Sequence, residues 1–240
     1  MKVSVILPAA GLGTRMSRSP EKSGVSRKQF ILLDGQPILA HTIRKFLSCS
    51  LVTEIVVALR AEDIEWAGEL IAKLFPSAPI RLVSGGNTRQ ESVEQALHSI
   101  SPDVEIVAVH DAVRPFVDVE TIEKVIKEAS ESGAAIVGIV PVDTVKLVHL
   151  NKIRQTLTRE RLVLAQTPQV FRQDLLRHAF QKAREDGFIG TDESSLVERL
   201  EEIEVSVVPG SERNIKITRP ADLELARLFL SSELAGAKAS

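Results

Sequence analysis

Pro8-Ala9-Ala10-Gly11-Leu12-Gly13-Thr14-Arg15-Met16 directly follows Val3-Ser4-Val5-Ile6-Leu7, an almost uninterrupted apolar run of strand length. Small residues and two glycines let the backbone turn tightly and come close to a ligand, because little side chain stands in the way. Exposed backbone N–H groups together with the Arg15 guanidinium suit a di- or triphosphate. A dinucleotide-binding fingerprint would carry a third glycine near Met16 and open a helix at once, and neither is present. A P-loop would carry Gly-Lys-Ser/Thr, which is also absent. A plain strand-to-loop turn accounts for these nine residues as well as a phosphate site does.

Outward from this stretch, apolar runs of strand length alternate with segments of helical periodicity. The runs are Val3–Leu7, Glu54–Leu59, Ile80–Val83, Val104–Val109 and Ala134–Val140. Between and after them, helical spacing of apolar residues covers Pro37–Leu47, Glu62–Phe75, Arg89–Ile100 and Thr121–Ser130. Each helix has one apolar stripe, whereas most strands are apolar on both faces. That pattern predicts an α/β fold, a mostly parallel sheet sandwiched between helices. Ligands in such sheets bind beyond the carboxyl ends of the strands. Besides the opening loop, two strand ends carry polar, ligand-like residues: Ser84-Gly85-Gly86-Asn87-Thr88-Arg89, with Ser92 one turn later, and His110-Asp111-Ala112-Val113-Arg114-Pro115. Three such ends in one parallel sheet converge on one cleft.

With 30 basic and 32 acidic residues the net charge is −2, and nothing in that balance points to a nucleic-acid or membrane surface. A triphosphate site therefore needs basic residues gathered locally. The single cysteine, Cys49, has no disulfide partner in the chain, and no Cys/His cluster has zinc spacing. No apolar run approaches the ~20 residues of a membrane span, and Met1-Lys2-Val3 leads into a strand, so a cytoplasmic setting is expected.

After Val140 the pattern changes to alternating polar and apolar residues, from Pro141 toward Leu157. Alternation means half-buried antiparallel strands, so 141–160 reads as a hairpin arm leaving the main sheet. Helical pattern resumes at Gln173–Arg184 and Thr191–Leu200, a strand follows at Ile203–Val208, and a last helix opens at Pro220, a favoured first-turn position. One domain over 1–235 with an arm at 141–160, and a frayed tail over 236–240, is the expected organisation.

Taken together, Pro8-Ala9-Ala10-Gly11-x-Gly13-x-Arg15-Met16, Lys28-Gln29-Phe30, Gly85-Gly86-x-x-Arg89-x-x-Ser92, His110-Asp111-Ala112-x-Arg114-Pro115, Thr167-Pro168-Gln169, Thr191-Asp192-Glu193 and Asn214-Ile215-Lys216-x-Thr218 closely resemble one family. It is the 2-C-methyl-D-erythritol 4-phosphate cytidylyltransferase family of the non-mevalonate isoprenoid pathway. The motifs stand in the family's order and span the chain from Val3 to about Leu230. The resemblance implies a Rossmann-like nucleotidyltransferase fold with an extended arm, a homodimer joined through that arm, and Mg²⁺ as cofactor. The loop from Arg15 to Lys28 is longer than is usual in the family and contains a second lysine, Lys22; Gln29-Phe30 after Lys28 favours Lys28 as the motif lysine.

The implied reaction joins CTP to a polyol phosphate and releases pyrophosphate. Both reacting phosphates are anions, so such catalysis is chiefly positioning and charge stabilisation. By resemblance, Arg15 and Lys28 neutralise the triphosphate, and Lys216 and Arg159 hold the incoming substrate phosphate. Ala9, Ala10, Gly11, Gly86, Asn87, Arg89, Ser92 and Ala112 bind the nucleotide. Asp111 is the residue for Mg²⁺ or a substrate hydroxyl, and Arg114, Thr144 and Thr167 finish the substrate pocket. Residue by residue, simpler readings exist: solvated surface charge for Arg15, Lys28 and Lys216, a turn cap for Asp111, a helix N-terminus for Asp192 and Glu193, a structural strand-end residue for His110.

A related family, D-ribitol-5-phosphate cytidylyltransferase, shares much of the opening loop and the His110–Pro115 motif, but Ala9-Ala10 and Thr191–Ser195 look more like the erythritol-phosphate enzyme. An NAD-dependent oxidoreductase would end its second strand on an acidic residue, and this strand ends Ala58-Leu59-Arg60, which leaves only NADP open. A non-catalytic nucleotide module leaves Arg159 and Lys216 without a second phosphate to hold.

Overall fold

The computed structural model describes residues 1–11 and 27–237. Its centre is a seven-stranded sheet. The strands are β1 (Val3–Pro8), β4 (Val52–Leu59), β5 (Ile80–Ser84), β6 (Ile106–Val109), β7 (Ala134–Ile139), β10 (Leu164–Arg172) and β11 (Ser206–Pro209). Across the sheet they stand in the order β11-β7-β10-β6-β1-β4-β5. All neighbours run parallel except β10, which pairs antiparallel with both β6 and β7. A short pair, β2 (Leu32–Leu33) and β3 (Gln36–Pro37), and a hairpin, β8 (Lys146–His149) and β9 (Lys152–Thr156), stand outside it.

Alternation along β1 explains the sandwich. Val3, Val5 and Leu7 face a core shared with α1 (Ile38–Leu47), α2 (Ile64–Leu74) and α4 (Val119–Ser132). Ile6 faces the other core, shared with α3 (Arg89–Ser99), α5 (Gln173–Glu185) and α6 (Glu193–Glu198). Because both faces are covered, every side chain from Val3 to Leu7 is buried, and at roughly 1.5–3 kcal/mol for each large apolar side chain this anchors the loop that follows. A third cluster joins Leu33, Ile38, Val113, Phe116, Ile217 and Ala226, packing α7 (Pro220–Ala237) over the loop after β6. No helix among the described residues is long and apolar enough to cross a membrane.

The α/β expectation and its parallel strands are met, with three differences. Strand β10 is not among the sequence-predicted strands. Its inward residues Gln166, Thr167 and Gln169 are polar yet buried, so it lacks the apolar signature. The β2–β3 turn, with Asp34 and Gly35 at φ 50° and 74°, is an Asp-Gly hairpin, a turn signal that the periodicity of the flanking residues does not reveal. At the far end α7 continues through Gly236 and Ala237, so these two residues are helical, and 238–240 lie outside the described residues. The predicted arm at 141–160 narrows to strands β8 and β9, joined by Leu150 and Asn151 at positive φ.

Candidate active site

Three loops leave the sheet at the carboxyl ends of β1, β5 and β6, with β4 standing between β1 and β5. Backbone bonds hold their starts in register: Ala9 N–H to Ala58 O at 2.8 Å, Gly85 N–H to Leu59 O at 2.7 Å and His110 N–H to Ile6 O at 2.9 Å. Together with Lys28, Gln29, Lys216 and Thr218 they line one cleft. The expected convergence of three strand ends is therefore seen.

The β5–α3 loop is pinned from within. Thr88 caps α3 by accepting Glu91 N–H, Ser92 Oγ accepts Gly86 N–H at 3.2 Å, and Glu91 Oε2 accepts Asn87 N–H at 2.8 Å. Gly85 has a steric reason to be glycine: a Cβ there would lie 2.8 Å from Ala10 Cβ and 2.9 Å from Ser92 Oγ. That close approach brings the opening loop and the β5–α3 loop together on one side of the cleft. Gln29 donates to Ala9 O at 2.6 Å, which ties the Lys28–Phe30 turn to the opening loop.

The cleft floor is a network of charges around Asp111. Its Oδ2 lies 2.9 Å from Lys216 Nζ and accepts Arg114 Nε–H at 3.0 Å, while Oδ1 lies 3.4 Å from Arg89 Nε. Arg89 in turn grips the buried Glu193 carboxylate with both arms, at 2.6 and 2.9 Å. Burial alone would raise the Asp111 carboxyl, but Lys216, Arg89 and Arg114 outweigh it and hold the group well below the usual carboxylate range. Burial pulls Arg89 down, and Glu193 and Asp111 more than reverse it, so the guanidinium stays charged. Asp111 is thus a permanent anion ringed by cations, not merely a turn cap, although its carbonyl does accept Arg114 N–H across the turn.

Behind this floor, neutral groups fix the loop. His110 Nε2 meets Arg114 O at 3.0 Å, so that nitrogen carries the proton; Nδ1 then accepts the Thr167 hydroxyl, and Thr167 Oγ1 accepts Asp111 N–H at 3.1 Å. Burial pushes His110 down to about 4, so it is neutral at physiological pH and acts structurally. Asn214 donates to Gln166 Oε1 and to Thr167 O, and its own carbonyl accepts Arg114 Nη1–H at 2.7 Å. These bonds fasten the Asn214–Thr218 segment, and with it Lys216, to β10.

Of the expected site residues, Ala9, Ala10, Gly11, Lys28, Gly86, Asn87, Arg89, Ser92, Asp111, Ala112 and Lys216 all line the cleft. Arg114 joins them through Asp111, and Thr167 is buried beneath, supporting Asp111 rather than lining the cleft. Thr144 and Arg159 line a separate groove on the arm, with Thr156, Leu157, Thr158 and Glu160. Arg15 lies outside the described residues. Sequence reasoning missed Glu193 as the partner of Arg89. It did read Asp192 correctly, which caps α6 by accepting Ser195 N–H at 3.1 Å.

The chain matches the family model IspD, 2-C-methyl-D-erythritol 4-phosphate cytidylyltransferase, over residues 3–232. It belongs to that family. Among relatives, the cytidylyltransferase of Solibacter usitatus (strain Ellin6076) is 64% identical, with 98% of each chain covered. That of Acidobacterium capsulatum is 48% identical, covering 96% of this chain and 98% of the relative. Among solved structures, 4-diphosphocytidyl-2C-methyl-D-erythritol synthase from Anaerococcus prevotii DSM 20548 superposes with a TM-score of 0.82 at 29% identity, covering 95% of this chain and 98% of that one. The Thermus thermophilus structure of the cytidylyltransferase gives a TM-score of 0.76 at 32% identity, covering 95% of this chain and 98% of that one. As a member of the 2-C-methyl-D-erythritol 4-phosphate cytidylyltransferase family, the protein is an enzyme, a nucleotidyltransferase, and the mostly parallel sheet with its protruding hairpin is the fold of that family.

Proposed function

We propose that the cleft transfers a cytidylyl group from CTP to 2-C-methyl-D-erythritol 4-phosphate, giving 4-diphosphocytidyl-2-C-methyl-D-erythritol and pyrophosphate. The observation that carries this reading is the cationic ring around Asp111 beside two small-residue loops, because it joins a charge cluster for phosphates to a backbone surface for a nucleoside. A phosphate oxygen of the polyol phosphate attacks the α-phosphorus in line. The new P–O bond forms as the bond to the bridging oxygen breaks, and pyrophosphate leaves with the electron pair.

The attacking phosphate is already an anion, so no general base is needed and His110 serves none. Ala9, Ala10 and Gly11 cradle the triphosphate, with Gly86, Asn87, Arg89, Ser92 and Ala112 around the nucleoside. Lys28 and Arg15 offset the charge that builds on pyrophosphate. Lys216 holds the substrate phosphate, and the ionised Asp111 accepts a substrate hydroxyl.

The donor set fits Mg²⁺ in one way. The described residues hold no group of three or more His, Cys, Asp and Glu side chains that would cage a metal, and Asp111 is the one carboxylate among the residues lining the cleft. Mg²⁺ takes one or two carboxylates and completes its shell with phosphate oxygens and water, so Asp111 would hold it once incoming phosphates draw Lys216 and Arg114 away from its oxygens. The ion would neutralise triphosphate charge.

We also propose a homodimer in which the arm of each subunit brings Thr144 and Arg159 to the other subunit's cleft, where Thr144, Arg114 and Thr167 complete or support the substrate pocket. Support comes from the arm itself: β8 and β9 are exposed along their whole length, with Ile153 65% accessible and Leu150, in the turn between them, 79%. An isolated hairpin of this kind is marginal in water.

Pyrophosphate release tests the function directly, with CTP, UTP and ATP each paired with methylerythritol phosphate and with ribitol phosphate. Release is expected with CTP and methylerythritol phosphate alone at high rate. A preference for ribitol phosphate, or for UTP or ATP, sinks the reading.

A further inference from the structure

We infer that Arg27 and Asp63 are a positioning pair that sets Lys28 against the triphosphate side of the cleft. This rests on the part given to Lys28 in the proposed reaction. Asp63 closes the 3-10 turn Ala61–Asp63 after β4, stands at the start of α2 and is fully buried. A buried carboxylate without a cation is costly, so Asp63 requires a partner. Arg27 provides it: its Nη1 is ion-paired with Asp63 Oδ1, and Nη2 lies 3.8 Å from Glu62 Oε1. Trp66 Nε1 donates to the same Asp63 oxygen at 3.2 Å.

The consequence falls on the next residue. Lys28 opens a 3-10 turn in which Phe30 N–H bonds Arg27 O at 2.9 Å and Ile31 N–H bonds Lys28 O at 3.2 Å. On the far side of Lys28, Gln29 is bonded to Ala9 O, and the Phe30 ring lies 4.4 Å from Trp66, which itself contacts Asp63. The lysine is therefore bracketed by anchors before and after it, and its backbone is fixed relative to both the opening loop and the end of β4. Arg27 is the anchor on the N-terminal side. Ala67 and Ile71 bury α2 in the main core independently of this ion pair, whose Arg27 end is joined directly to Lys28.

A double-mutant cycle tests this, because coupled residues depart from additivity and independent ones do not. Turnover is measured at saturating CTP and methylerythritol phosphate for the wild type, Arg27→Ala, Lys28→Ala and the double variant. Loss of a charge-stabilising donor lowers kcat ~10²–10³-fold, the figure expected for Lys28→Ala. Arg27→Ala should lower kcat about tenfold, since misplacement of a catalytic group by a fraction of an ångström is costly while Gln29 and Phe30 still hold. The double variant should be no slower than Lys28→Ala, KM for methylerythritol phosphate should stay within about twofold, and Arg27→Lys should recover most of the turnover. A purely structural role lowers kcat by the same factor with and without Lys28. That result overturns the inference, as does normal turnover in Arg27→Ala beside a large loss in Lys28→Ala. Normal turnover in Lys28→Ala overturns instead the reading beneath it, and Lys22→Ala then identifies the other lysine. If Arg27→Ala fails to fold, Arg27→Gln completes the same cycle.

Discussion

Lys216 Nζ stands 2.9 Å from Asp111 Oδ2, so the loop before the last helix closes the charge on the loop after β6. Arg114 and Arg89 reach the same carboxylate, and Glu193 balances Arg89 from behind. With both carboxyls ionised, three cations face two anions, which leaves the floor positive. In the proposed reaction a phosphate entering here would take the place of the Asp111 carboxylate as counter-ion to these cations. The network also makes each member depend on its neighbours.

That dependence is sharpest at Glu193. Replacing it with alanine leaves the Arg89 guanidinium with Asp111, 3.4 Å away, as its remaining counter-ion. Breaking a buried pair from one side typically costs 3–5 kcal/mol, and about 3 kcal/mol is expected because the Arg89 side chain is 30% exposed. Arg89 would also lose its orientation toward the cleft, so KM for CTP should rise about tenfold, equivalent to roughly 1.4 kcal/mol. Urea midpoints and steady-state kinetics check both numbers. Glu193→Gln keeps the acceptor oxygen and should cost less on both scales.

His110 gives the fold a dependence on pH. Its folded value is about 4, below the ~6.5 of an unfolded histidine. Between those values the unfolded chain binds the extra proton, so stability falls as pH drops through that window and is fully present above it. The difference corresponds to about 3 kcal/mol by pH 4. Burial lowers His41 as well, which adds to the same trend. Denaturant midpoints at pH 7 and pH 4.5, in chelator-containing buffer, should show the loss, and His110→Gln should flatten the slope while His41 keeps a part of it. An unchanged slope would remove His110 from the account.

Much of this was legible in the chain. The runs at Val3–Leu7 and Glu54–Leu59, and the stripe Ile38, Leu39, Ile43 and Phe46, announce their elements because the two strands are covered on both faces and the helix buries a single stripe. Strand β10 does not, since its buried Gln166, Thr167 and Gln169 are satisfied by Ser211 O, His110 and Asp192, partners that exist only once the chain has folded. Glu193 escaped for the same reason. An acidic residue opening a helix has a local explanation, and Arg89, its actual partner, is on α3. Cleft residues were readable because glycine turns and strand ends are local signals, whereas the pairing that tunes them is not.

The proposed role of Asp111, the one carboxylate among the described residues lining the cleft, makes activity metal-dependent. Activity should vanish in a chelator and return with added Mg²⁺. Asp111→Asn keeps the shape but removes the charge that would hold the ion and that now neutralises Lys216 and Arg114. It should raise the Mg²⁺ concentration needed for half-maximal rate, or KM for the polyol phosphate. A titration of rate against Mg²⁺ in both proteins separates the two effects. Full activity in the chelator removes the metal from the mechanism.

The arm makes the most demanding prediction. Arg159 sits in a groove with Thr144 on the arm, and Lys216 lies in the cleft, so one subunit alone keeps the two residues proposed to hold the substrate phosphate in different sites. Val148 pairs with Ile153 across the hairpin, and both are more than half exposed, at 52% and 65%. Such a surface is covered if a twofold-related copy packs against it, and an isologous contact of this kind closes at two subunits. If each arm then serves the opposite cleft, Arg159→Ala and Lys216→Ala damage different halves of a shared site. Each variant alone should be nearly inactive. Mixed in equal amounts with free subunit exchange, half of the dimers are hybrids, and each hybrid has one site with both defects and one with neither. About a quarter of wild-type activity should return. Exchange is verified separately by labelling the two variants with different tags and recovering mixed dimers. Verified exchange with no recovered activity means that Arg159 serves its own subunit, and the shared site is wrong. A monomeric mass at assay concentration is equally fatal, since no second arm is then present to complete the cleft.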